Sequence, residues 1–98
     1  MIAASDCRTM AQVRAGVDAV DAELVALLAR RFGYMDAAAC IKTDRATVRD
    51  DARKAQVIAN AAAAAAAAGL PADLAPALWE TLVEASIAYE LAAWDRGR

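Results

Sequence analysis

Residues 9–42 read TMAQVRAGVDAVDAELVALLARRFGYMDAAACIK, with no proline and no β-branched run to interrupt a helix. Val13, Val17, Val20, Leu24 and Leu27 step by 4-3-4-3, a helical stripe with heptad-like spacing. Thr9 stands where a hydroxyl can cap the orphan amides of a first turn, so the reading predicts a helix from near Thr9 to about Lys42. At ~1.5 Å per residue such a helix is a rod of roughly 50 Å. The remaining chain is too short to cover it. The rod is therefore expected to pair with a second copy.

Beyond the rod, Thr43–Arg49 loses the period and reads as a loop. Asp50 or Asp51 then caps a second helix through Val57, Ile58 and the alanine tract Ala61–Ala68, with Gly69 as its C-terminal stop. Alanine is the best helix former and lets neighbouring helices approach closely, so the tract reads as helix filler. Leu70-Pro71 breaks the chain. A third helix is expected from around Asp73, carrying Leu74, Leu78, Leu82, Ala85, Tyr89 and Trp94. No segment alternates with period two, so the fold class is all-α: three helices, the first one long, in a single domain over residues 1–98.

Composition narrows the function. Of the 98 residues, 60% are hydrophobic, but alanine inflates that figure; Val, Ile, Leu, Met, Phe, Tyr and Trp number only 27, a thin core for long helices. The net charge of −2, without a basic stripe, argues against nucleic-acid binding. No apolar run approaches the ~20 residues that span a bilayer, and the first residues do not resemble a signal peptide. Cys7 and Cys40 are isolated and read as two free thiols in a reducing cytoplasm. The absence of histidine removes Ser-His and Cys-His machinery and the commonest zinc ligands. No phosphate-binding glycine motif occurs, so no cofactor or metal is expected. An enzyme of this composition works with Arg, Lys, Asp, Glu and shape.

Some charges fall where apolar residues are due. Continuing the stripe past Leu27 leads to Arg31, and Arg31, Met35, Ala38 and Lys42 share one face, because eleven residues of ~100° return to within ~20° of the start. Cations on such a face must either snorkel to water or meet anions. On the third helix Ser86 and Glu90 are four apart among Ile87, Tyr89, Leu91 and Trp94. There Glu90 faces solvent, pairs with Arg96, or is an apolar-site carboxyl with a raised pKa that can donate a proton. Arg14 lies ~25 Å along the rod from Arg31, too far for one small ligand. An antiparallel copy would bring the two ends together.

Arg14, Arg31, Lys42, Asp50, Arg53, Ser86 and Glu90 together resemble the active-site set of the all-helical chorismate mutase family, which includes the isochorismate pyruvate lyases. The local strings are Val13-Arg14-Ala15-Gly16-Val17-Asp18-Ala19-Val20-Asp21, Leu28-Ala29-Arg30-Arg31, Ile41-Lys42, Val48-Arg49-Asp50-Asp51-Ala52-Arg53 and Ser86-Ile87-Ala88-Tyr89-Glu90. The resemblance covers about residues 7–94. It implies an intertwined helical homodimer in which Arg14 crosses the interface. It also implies a small dianionic substrate whose carboxylates are bound by Arg31 and the partner's Arg14. Lys42 would hold a carboxylate and the ether oxygen, Glu90 would approach that oxygen from the other side, and Asp50, Arg53 and Ser86 would position ring and loop. By this resemblance Lys42, Glu90 and Arg31 are the catalytic residues of a chorismate mutase.

The sequence departs from the family pattern at two positions. Many relatives carry glutamine where Glu90 stands, and many mutases have a glutamate contacting the ring hydroxyl where this chain has Lys54. The lyase alternative draws on the loop spacing from Lys42 to Arg53 and the Asp6-Cys7 start; Glu90 and the proline-free loop draw toward the mutase. A non-catalytic helical dimer is the third reading, and the competent residue type at every catalytic position argues against it.

Overall fold

The computed structural model describes residues 2–98, and among them there are three α-helices and no strand: α1 (Met10–Ile41), α2 (Asp51–Ala67) and α3 (Leu74–Arg96). The chain divides into two compact units, one up to Gly33 and the other Tyr34–Arg98, with α1 continuous across the division.

In the first unit a 3-10 turn at Ala4–Asp6 leads to a reciprocal cap at the start of α1. Thr9 Oγ1 accepts from the Gln12 amide at 3.2 Å, while Gln12 Oε1 accepts from the amides of Arg8 (2.6 Å) and Thr9 (3.2 Å). Three amides that the helix itself cannot satisfy thus find partners, which is why α1 begins where it does. The expected stripe is helical, and all five of its members, Val13, Val17, Val20, Leu24 and Leu27, are 38–53% exposed in the single chain. This face is apolar and uncovered.

The second unit comprises the end of α1, a 3-10 turn at Arg45–Thr47, α2 and α3. The loop expected at 43–49 is ordered by its own side chains: Asp44 accepts from the Ala46 amide at 3.0 Å, and Thr47 Oγ1 donates to the Asp44 carbonyl at 2.7 Å. Asp50 caps α2 by accepting from the Arg53 amide at 3.0 Å. At the other end Gly69 adopts φ 78°, and the Leu70 and Gly69 amides donate to the carbonyls of Ala65 and Ala66. This is the paired-bond stop that a glycine after a helix makes possible.

α2 packs on α3. The buried apolar residues are Ala39, Val48, Ala65, Ala75 and Val83, a core of small side chains in which the alanine tract contributes Ala65. The apolar face expected on α3 is rotated. Leu74 and Leu78 are exposed, whereas Ala75, Val83, Ser86 and Glu90 are buried. Apolar residues occur all round this helix, so its own periodicity does not select a face; the close approach of α2 favours the small side chains one position further on. Salt bridges join the loop and α2 to α3: Arg45 to Asp95 (2.9 Å), Arg49 to Glu84 (2.7 Å), and Lys54 to both Glu80 (2.7 Å) and Glu84 (2.9 Å).

Candidate active site

Two α-helical ends meet around one ion pair. Lys42 follows the last residue of α1, and its Nζ lies 2.7 Å from Oε2 of Glu90 on α3. The Glu90 side chain is 6% exposed and that of Lys42 is 29% exposed. Glu90 therefore neither faces solvent nor pairs with Arg96: its partner is the ammonium group. A buried carboxylate is costly unless met by a cation and hydrogen bonds, and Lys42 supplies both.

Ser86, one turn before Glu90, is 3% exposed and its Oγ donates to the Leu82 carbonyl at 2.7 Å. One residue before Glu90, the Tyr89 hydroxyl donates to Asp36 Oδ2 at 3.0 Å, and this bond raises the phenol's pKa above its ordinary value. That contact fastens α3 to the last turns of α1. Asp50 and Arg53 are joined to each other through the α2 cap, and the Arg53 guanidinium donates to Gln56 Oε1 at 2.7 Å. Both are exposed.

Arg14 and Arg31 both belong to the first unit, Arg14 exposed and Arg31 half-buried. Seventeen residues of one helix hold them ~25 Å apart, so a single chain does not bring them together. Lys54 is drawn to Glu80 and Glu84 on α3, and hydrogen bonds to these two carboxylates raise its pKa. Glu84 also receives Arg49; with hydrogen bonds from Arg49 and then Lys54, its carboxyl is pushed down to about 2.

Two further groups converge on Lys42 that the sequence reading did not single out. Trp94 Nε1 donates to the Lys42 carbonyl at 3.0 Å, and Arg98 donates to the carbonyls of Ala39 (3.0 Å) and Lys42. Ser86, Glu90, Trp94 and Arg98 are spaced by four, a signal present in the sequence but obscured by the charged tail around it.

The chain is all-helical, with Lys42 paired to the buried Glu90, and the comparison with family models assigns its class. The chain belongs to the chorismate mutase type II family, whose model matches residues 13–91. It is also similar to an isochorismate pyruvate lyase of Pseudomonas aeruginosa, at 29% identity over 93 residues, covering 95% of this chain and 92% of the relative. No helix among the described residues is long and apolar enough to cross a membrane.

Proposed function

We propose that this chain rearranges chorismate to prephenate. The observation that carries the reading is the Lys42–Glu90 pair, a partly accessible ammonium group beside a buried carboxyl group. Chorismate is a flexible dianion whose rearrangement is a pericyclic shift, and no nucleophile is required. The rate gain comes from holding the side chain over the ring and from stabilising negative charge on the ether oxygen as the C–O bond breaks. Lys42 places a cation where that charge appears. Glu90, once protonated, donates to the same oxygen from the other side; ionised, it would oppose the charge. Arg31 and the partner's Arg14 take the two carboxylates, for which guanidinium forks are suited. Asp50, Arg53 and Ser86 position the ring and the loop.

This reading requires two copies of the chain, since Arg14 and Arg31 are a helix-length apart. The uncovered stripe from Val13 to Leu27 supports the pairing. The free thiols Cys7 and Cys40 fit a reducing, cytoplasmic setting.

A second reading is cleavage of isochorismate to salicylate and pyruvate, favoured by the similarity to the Pseudomonas lyase. Its pericyclic elimination makes the same demands of Lys42 and the arginines. Purified protein incubated separately with each substrate, with prephenate, salicylate and pyruvate assayed, distinguishes the two. Prephenate from chorismate as the faster reaction supports the mutase, salicylate with equimolar pyruvate the lyase. Turnover of neither overturns both and leaves a binding module.

A further inference from the structure

We propose that Arg98 and Trp94 are positioning residues that hold the backbone at Lys42 so that its ammonium group is presented at the site; the catalytic part of this proposal rests on the functional reading above. The last carbonyls of an α-helix have no partner within the helix, and α1 has no glycine stop of the kind that ends α2. Arg98 and Trp94 supply the missing donors. One guanidinium nitrogen of Arg98 bonds the Ala39 carbonyl at 3.0 Å and another bonds the Lys42 carbonyl, which also receives Trp94 Nε1 at 3.0 Å. The guanidinium carbon lies 4.4 Å from the centroid of the Trp94 ring, so the two side chains brace each other. A cation at a helix C-terminus is also favoured by the helix dipole.

Residue 42 is thus gripped twice: Glu90 on α3 holds its ammonium group, while Trp94 on α3 and Arg98 just past the helix hold its carbonyl. Lysine has a long, flexible stem, and a charge on such a stem is presented reproducibly only if its base is held. Both clamp residues lie past residue 91, where the family match ends.

Three variants test the proposal: Trp94→Phe, which keeps an aromatic ring and removes the N–H, Arg98→Ala, and Arg98→Lys. Lys42 and Lys54 are the only lysines, so trace acetylation followed by peptide mass spectrometry reports Lys42 against an internal reference. Arg98→Ala is expected to raise the Lys42 to Lys54 labelling ratio about threefold, as a loosened helix end exposes the amine more often. In the dimeric enzyme, kcat should fall about tenfold with KM nearly unchanged, since a displaced lysine weakens transition-state contacts first. Arg98→Lys should recover part of both effects, and Trp94→Phe should reproduce them in smaller measure. An unchanged labelling ratio in folded Arg98→Ala overturns the proposal, as does a loss of kcat that merely follows the unfolded fraction seen by circular dichroism. If the unsubstituted protein turns over neither substrate, the functional reading fails, while the labelling ratio still decides whether the clamp holds Lys42.

Discussion

Lys42 and Glu90 are 48 residues apart in the chain, yet the ammonium nitrogen of one lies 2.7 Å from a carboxylate oxygen of the other. In the proposed mechanism an anionic substrate competes with Glu90 for the ammonium group of Lys42. The same carboxyl group, in its acid form, is the donor to the ether oxygen in that mechanism.

The proposed donor role of Glu90 can be tested by substitution. Glu90→Gln keeps a donor for the ether oxygen and should retain turnover of chorismate, whereas Glu90→Ala removes the donor and should lower kcat about a hundredfold. Steady-state kinetics of the two variants check this, and equal rates in both remove the proposed role of Glu90.

Arg14→Ala and Arg31→Ala should each abolish turnover alone. Mixing the two after joint unfolding and refolding should restore about a quarter of the original activity, because half the dimers are mixed and each mixed dimer keeps one intact site of two. No restoration, with mixed dimers shown to form, would mean that both arginines serve the site from one chain or that neither serves it.

Leu24→Glu places a charge in the middle of the uncovered stripe on α1, where Leu24 is 50% exposed in the single chain. If that stripe is the contact between copies, the variant should dissociate or unfold at concentrations where the parent is paired. Sedimentation equilibrium reads the outcome, and an unaltered mass argues that the stripe faces water.

Acid stability should depend on Glu84. Its carboxyl is pushed down to about 2 by Arg49 and Lys54, and Asp95 is lowered by Arg45. A carboxylate with a depressed folded-state pKa stabilises the fold above its ordinary unfolded value, and that contribution fades as pH falls toward the folded value. Glu84→Gln should therefore reduce stability at neutral pH and weaken its dependence on pH between about 5 and 2. The Glu84 and Asp95 side chains are 41% and 50% exposed, so high salt should shrink the difference. Urea unfolding at several pH values measures both.

Gly69→Ala isolates the backbone contribution at the end of α2. A Cβ there would meet nothing within 4 Å, so any cost arises from φ 78° alone. The expected loss is about 1 kcal/mol by urea unfolding.

The extents of the helices were legible because they depend on near neighbours. Thr9, Asp50 and Gly69 act through bonds that span three to five residues; residue type and position point to Thr9 and Gly69 and narrow the α2 cap to Asp50 or Asp51. The all-α class and the family follow from that local grammar together with the placement of charges. The inward face of α3 was not legible: a helix apolar on all sides carries no rotational signal of its own, and the small side chains at Ala75 and Val83 turned inward rather than Leu74 and Leu78. Nor was the partner of Glu90, since Arg96 was the nearer cation along the chain while Lys42 is the nearer in space. The clamp from Trp94 and Arg98 joins positions 52 to 59 residues apart. Contacts of that range are set by how helices dock, and docking is decided by the shape of the whole surface, not by any one segment.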